Sequence, residues 1–372
     1  MTGRRVLPLD GVNVLDLTRM LPGAVLARTL IDLGASLTKI EDPGVGDPYR
    51  HVPPVVGGTG AGFAVCYRGA RSAALDLASS AGAAALLRLS RHADVLVESF
   101  RPGTLEAWGL GHQRLTATNP ALVVCSLSSF GAHARSRTAH DLNLTAITGF
   151  LGELPAAGVP RVQVADVGTA LLATSAVLAA LLQRVRTGAG VVLDQPLATG
   201  PLPFLLWAWA DCAAGGGSLT STVLAGRCPS YRLYRCADRL ELALAALEPK
   251  LWVGVVERLG LAHLAGLGLD VGTEGAAAAR ELETAFAARA RAAWLEELGG
   301  AGLPVSAVND LPAALREREL ARFLERAPMP GGGTLEVPGP FLPTLGRTPD
   351  LAAPALGEHT SEVLAAAGCA PF

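Results

Sequence analysis

The residues best suited to chemistry lie in three places along the chain. His140 and Asp141 are adjacent in "RSRTAHDLNLTAITG", with Asn143 two positions further on. Asp166 stands at the start of the most apolar stretch of the sequence, and Glu248 closes the apolar run "LALAALE" just before Pro249. A histidine beside a carboxylate can carry a proton near neutral pH. A carboxylate at a helix start is held ionised by the backbone N–H groups and the helix dipole. A carboxylate ending a buried strand requires a partner. Arg135 and Arg137, just ahead of His140, have the guanidinium chemistry that receives phosphates. Each residue also has a plainer reading. His140–Asp141 is then a polar pair where a loop enters a helix, Asp166 an N-cap, and Glu248 a solvated terminus. Residue types and spacing leave both readings open and give an α/β enzyme with unassigned acid–base groups.

The elements that would position these residues alternate. "VNVLDL" (12–17) reads as a strand and "PGAVLARTLIDLG" (22–34) as a helix with Pro22 near its start and Gly34 at its end. "ASLTKIED" (35–42) reads as a second strand, giving a parallel βαβ unit. The turn is "TRMLPG" and lacks G-x-G-x-x-G, so NAD use is not expected. Strands follow at 72–77, 94–100, 120–131 and 191–197, with helices at 79–93, 102–111 and 165–190. The last is expected to be capped by Asp166 and closed by Gly188. Its core, 169–182, reads as a buried helix too short to span a bilayer.

Near 200 the pattern breaks. "YRLYRCADRLELALAAL" (231–247) reads as a hairpin turning at Ala237–Asp238. Helices are expected at 249–260 and 279–302, extended segments in "LPVSAVNDL" and "GTLEVPGP", and a last helix over 357–368 with Thr360 as N-cap. The expected organisation is a large α/β domain (1–200 and 325–372), a small α+β domain (225–320), and linkers at 200–225 and 320–345.

Composition narrows the function classes. The 372 residues are 50% hydrophobic and 17% charged, with a net charge of −2. No basic stripe suits nucleic acid. Six cysteines without a C-x-x-C pair, and no His-x-His nearby, give no metal site and fit free thiols in a cytoplasmic setting. No signal peptide is expected, since no apolar run precedes Asp10 and Asp16.

Longer motifs carry a resemblance. The chain resembles the family III CoA-transferases, the CaiB/BaiF family, and within them the racemase branch acting on α-methylacyl-CoA. The stretches are "GVNVLDLTRMLPGAVLARTLIDLGASLTKIEDPGVGDPYR", "RGARSAALDL", "DVLVESFRPGTLEAWGLG", "NPALVVCSLSSFG", "AHDLN", "VADVGTALLATSAVLAALLQRVRTGAG" and "LGEHTSEVLAAAG". The resemblance implies a Rossmann-like large domain with a parallel sheet plus a smaller α+β domain. It also implies an interlocked homodimer, with coenzyme A bound only as part of the substrate. By the same resemblance, His140 and Asp166 flank the α-carbon of an acyl thioester and Glu248 orients His140. Asp141 ties down the loop. Backbone N–H groups at the start of the Asp166 helix are the expected donors to an enolate oxygen. The residues expected around the substrate and its CoA are Arg71, Ala74, Leu75, Asp76, Arg101, Ala139, Asp141 and Asn143. Departures from the family pattern fall on substrate recognition. Asp42 replaces an Arg in "KIEDPG", Ala70 replaces a Lys in "RGARS", and Leu144 replaces an aromatic. The 224–231 loop "LAGRCPSY" has lost an acid and one glycine. Arg71, Arg101 and Arg227 are the cations available to compensate. The competing readings are an isomerase or lyase using the same acid–base residues on a non-CoA or carrier-bound substrate, a CoA-transferase with Asp166 as nucleophile, and a non-catalytic structural subunit.

Overall fold

The computed structural model describes residues 6–134, 137–154, 158–216 and 223–368. The chain divides into two compact units. One comprises Met1–Thr148, Pro160–Pro203 and Arg318–Phe372, the other Gly149–Val159 and Phe204–Glu317.

The larger unit is built on strands β1 (Asn13–Leu17), β2 (Ser36–Glu41), β5 (Arg71–Ala74), β6 (Val95–Glu98), β7 (Val123–Ser126) and β8 (Val192–Asp194). Between β2 and β5 come the two-residue strands β3 (Val55–Val56) and β4 (Thr59–Gly60), a small hairpin. The main sheet is wholly parallel, in the order β5-β2-β1-β6-β7-β8. The strands read as apolar runs because both faces are covered. Successive residues feed different cores. Val95, Val97, Val123 and Cys125 join one core with Leu26, Leu30, Phe63, Ala173 and Val177. Leu15, Leu17, Leu96 and Val124 join the other with Leu86, Leu105, Leu115 and Val363. The helices Met20–Asp32 and Val164–Thr187 cover the first face; Ser80–Ser90, His112–Thr118 and Thr360–Ala366 cover the second.

Chain order runs outward from β1 to one side through β2 and β5, and to the other through β6, β7 and β8. Connections therefore reverse between β1 and β6. In open parallel sheets ligands bind at the carboxyl ends of the strands, at such a reversal.

The Val164–Thr187 helix has 24 residues, close to the 165–190 expected and longer than its apolar core at 169–182. By length and composition it could cross a membrane, and half of its apolar window is buried. Ala170, Ala173, Val177 and Leu181 pack in the sheet core, while Leu171, Leu182 and Val185 are exposed. Gly188, at φ 72°, closes it with its N–H on Arg184 O. A short helix, His112–Thr118, was not expected from its mainly polar sequence.

The second unit holds β9 (Tyr231–Arg235), β10 (Glu241–Ala245) and β11 (Val305–Ala307), antiparallel in the order β11-β10-β9. Tyr234, Trp252, Phe286, Trp294 and Leu298 form its core. Their polar tips are satisfied: Tyr234 OH donates to Pro229 O, Trp252 Nε1 to Leu264 O and Trp294 Nε1 to Phe286 O. The helix expected over 279–302 is interrupted. It ends at Phe286 and restarts at Arg291, so that Phe286 O is left to accept from Trp294.

Returning to the larger unit, β12 (Leu324–Pro328) and β13 (Thr334–Pro338) pair as a hairpin inside the segment 320–345 that was read as a linker. Ala327 and Met329 pack on Ala64, and Glu325 accepts from Arg28 and Arg68. In the last helix Thr360 is the first helical residue rather than the cap. Its Oγ1 donates to Gly357 O and accepts from Ala74 N.

Candidate active site

The carboxyl ends of β1, β6, β7 and β8 surround a cleft lined by Arg19, Met20, Ser99, Phe100, Arg101, Ser128, Phe130, Arg137, Ala139, His140, Asp166 and Leu197. A second pocket at the ends of β1, β2 and β5 is lined by Arg19, Lys39, Glu41, Asp42, Asp47, Leu75, Asp76, Leu77, Phe100 and Trp108. Arg19 and Phe100 belong to both, so the two form one groove across the β1/β6 reversal. The Arg19 backbone N–H donates to Ser99 Oγ at 2.8 Å, and its guanidinium lies 5.2 Å from the Phe100 ring centroid. Those contacts tie the two strand ends together where the groove turns.

The groove floor is a buried ionic layer. Lys39 Nζ lies 3.0 Å from Asp47 Oδ2 and 3.4 Å from Asp16 Oδ2, and Tyr67 OH donates to Asp16 Oδ2 at 2.9 Å. Arg50 grips Glu41 through two bonds of 2.7 Å. Burial pushes the Glu41 carboxyl up, but the Arg50 pairing together with the hydrogen bonds from Ser72 and the Asp47 N–H outweighs it and the net shift is down. Asp47 Oδ1 accepts from Met20 N at 3.1 Å. Met20 opens the first helix at φ 65°, a left-handed conformation that costs a residue with a Cβ about 1–2 kcal/mol. Gly23 lets that helix approach β1: a Cβ there would lie 1.7 Å from Thr18 Oγ1. Gly23 in "TRMLPG" thus permits the close helix–strand packing that one of the glycines permits in dinucleotide folds.

His140 and Asp166 reach the same cleft through Asp141. His140 precedes the Asp141–Ile147 helix, and its N–H donates to Asn143 Oδ1 at 3.1 Å. Ser129 Oγ donates to Ala139 O at 2.9 Å, which holds the approach to His140 against the loop after β7. Asp141 Oδ1 accepts from Ala165 N at 2.7 Å and from Asp166 N at 3.1 Å. The residue next to His140 therefore caps the Val164–Thr187 helix from 24 positions away and fixes where Asp166 sits.

Two expectations are corrected here. Asp166 is not its helix's cap: Gln163 occupies that position and Asp166 is in the first turn. At that helix start the N–H groups of Ala165 and Asp166 are not free for an enolate oxygen, because Asp141 already takes them. The sequence offered no signal for this, since a cap supplied from another helix leaves no local pattern. Gly168 and Gly200 were also missed. Their backbones approach so closely that a Cβ on Gly168 would lie 2.3 Å from Gly200 O, which presses the helix start onto the loop after β8.

Burial pushes the Asp166 carboxyl up to about 6, and the neighbouring Asp141 charge adds to the rise; His140 acts in the opposite sense. A carboxyl in that range takes up and gives back a proton near neutral pH. His140 is exposed to the cleft. Leu144, where an aromatic was expected, is fully buried against Ala139, Ala165, Phe130 and Leu197. It bolts the two helices together behind the site.

The other expected residues divide. Arg101, Leu75 and Asp76 line the groove. Arg137 stacks 4.1 Å from the Phe130 ring centroid at the cleft wall; Arg135 lies outside the described residues. Arg71 is not brought to the groove. It sits at the opposite, amino end of β5 and pairs with Glu362 at 2.9 Å. Ala74 contributes its backbone N–H to Thr360. Arg227 and Glu248 belong to the second unit, and both are exposed. Glu248 precedes the Pro249–Arg258 helix, and its carboxylate has no hydrogen bond or ion pair among the described residues of the single chain. Those residues also include no group of three His, Cys, Asp or Glu side chains placed to hold a metal.

The site is thus a groove at the reversal of a parallel sheet, with His140 and Asp166 lining one end of it. The family model for CoA-transferase family III matches residues 9–360, and the chain belongs to that family. It is 32% identical to mouse (Mus musculus) α-methylacyl-CoA racemase over 96% of this chain and 92% of that protein. Mouse succinyl-CoA:glutarate CoA-transferase is 29% identical over 96% and 86%. Among solved structures, a CaiB/BaiF family protein from Brucella suis superposes with a TM-score of 0.83 at 27% identity, covering 98% of this chain and all of that one. The family acts on acyl-CoA thioesters, by racemisation or by CoA transfer.

Proposed function

We propose that this chain is an α-methylacyl-CoA racemase-like isomerase, moving a proton from one face of a thioester's α-carbon to the other. One side chain of the His140/Asp166 pair takes the α-proton while the C–H electron pair moves into the carbonyl as an enolate. The other side chain, entering protonated, returns a proton to the opposite face. One C–H bond at the α-carbon is broken and one is formed, while the thioester C–S bond stays intact and no bond joins the protein to the acyl group. The supporting observation is that His140 and Asp166 line one cleft at a spacing set by Asp141. The Asp166 carboxyl, pushed up to about 6, suits a group that must be acid in one direction and base in the other.

Transfer is the second reading, supported by the similarity to succinyl-CoA:glutarate CoA-transferase. There Asp166 attacks the thioester carbonyl to form a mixed anhydride as the CoA thiolate leaves; the thiolate then attacks the Asp166 carbonyl, releasing the acyl group as its carboxylate and leaving a CoA thioester on Asp166. Incubation with a 2-methylacyl-CoA in D₂O separates the readings. Racemisation puts deuterium at C2, whereas transfer leaves C2 untouched and puts a CoA thioester on Asp166, visible as an added mass on the protein. An interlocked homodimer belongs to the same proposal, and a monomer by light scattering contradicts it.

A further inference from the structure

The outer half of the groove has a chemistry of its own. Phe100 and Trp108 meet edge to face at 5.1 Å, and Leu75 and Leu77 complete an apolar slot beside them. A slot of this kind at the carboxyl end of a parallel sheet suits a nucleobase. Its charges are uneven. Lys39 is buried and committed to Asp16 and Asp47, and Glu41 is committed to Arg50. The exposed charges left at this pocket are Arg19, Asp42 and Asp76. Neither carboxylate has an ion pair among the described residues. Asp42 Oδ1 accepts from Gly44 N at 2.8 Å and Val45 N at 3.0 Å, which fixes the side chain at the end of β2.

An acid at the end of the second strand, about 20 residues past the first turn, hydrogen-bonds a ribose hydroxyl in nucleotide-binding sheets, and a phosphate on that ribose needs an Arg instead. From this arrangement we infer that the outer pocket takes the nucleoside end of the thioester handle with its ribose unphosphorylated. Asp42 is the residue that discriminates against the 3′-phosphate of coenzyme A. A ribose phosphate placed there meets two fixed carboxylates and one Arg already stacked on Phe100. The inference rests on the thioester reading above and concerns only the handle, not the proton transfer.

The experiment is calorimetric titration of the full-length protein with CoA and with dephospho-CoA, which lacks only the 3′-phosphate. Dephospho-CoA is expected to bind at least as tightly as CoA. Asp42→Asn keeps the acceptor for Gly44 and Val45, so the turn is retained. It is expected to shift the CoA/dephospho-CoA affinity ratio toward CoA roughly fivefold, the order of one screened charge pair. The wild-type ratio should also move toward CoA as salt rises, because screening relieves repulsion. CoA binding more than tenfold tighter than dephospho-CoA to the wild type overturns the inference, as does an unchanged ratio in Asp42→Asn. If neither ligand binds the inference falls, while deuterium exchange into an acyl-pantetheine thioester would still uphold the acid–base reading.

Discussion

Replacing Asp166 by Asn should make the protein more stable at alkaline pH and inactive at every pH. In the folded state burial and the Asp141 charge raise the Asp166 carboxyl from its ordinary 3.8 to about 6. A carboxyl whose folded pKa is raised binds its proton more tightly in the folded state than in the unfolded one. Its contribution to stability is fully present below about pH 4 and is lost as pH rises through about 6. The rise corresponds to about 3 kcal/mol above pH 6. Asp166 is only partly buried, and solvent screening reduces the figure to about 1–3 kcal/mol. Asn has nearly the same shape and carries no charge to desolvate. Asp166→Asn should therefore unfold several degrees above the wild type at pH 8, at about 2–4 °C per kcal/mol. That gap should close by pH 4. A variant no more stable than wild type at pH 8, or a gap that does not narrow toward pH 4, would refute the electrostatic account of Asp166. A gain in stability coupled to loss of activity is the trade expected of a group held in a costly state for its chemistry.

Other consequences can be checked by similar means. Asp141→Ala removes the cap from two N–H groups of the Val164–Thr187 helix. It should cost about 1 kcal/mol in thermal unfolding and lower kcat more than KM, because Asp166 loses its anchor. Arg50→Met leaves Glu41 buried without its partner and should cost about 3–5 kcal/mol; the double variant with Glu41→Gln should recover part of it. Met20→Gly relieves a left-handed residue and should raise stability by about 1 kcal/mol while weakening substrate turnover. Glu248→Gln tests the role that the family resemblance gives this exposed residue: a kcat loss of tenfold or more is expected if it orients His140, and an unchanged rate assigns it to solvent.

The sheet could be read from the sequence because its strands bury both faces, and "VLVE" or "VVCS" leaves few alternatives. In the hairpin at 324–338 the second strand was legible as the extended "GTLEVPGP", but the first and its pairing were hidden because Pro328 and Gly331–Gly333 give the segment the composition of a linker. The candidate site was legible in its residue types and hidden in its assembly. His140 immediately precedes one helix and Asp166 lies in the first turn of another, and no local spacing reveals that Asp141 joins them. The same limit explains the misreading of Asp166 as a cap. An Asp at an apolar helix start is an N-cap by local rules, but here the capping oxygen comes from Asp141. Arg71 was misplaced for a different reason: a strand's two ends differ by a few residues in sequence and by the whole depth of the sheet in space.

Deuterium incorporation at C2 of a 2-methylacyl-CoA, followed by mass spectrometry in D₂O, tests the central claim most directly. The account predicts exchange with the wild type and none with His140→Ala or Asp166→Ala, with no added mass on the protein. An absence of exchange with any CoA thioester, or full exchange in His140→Ala, would contradict it.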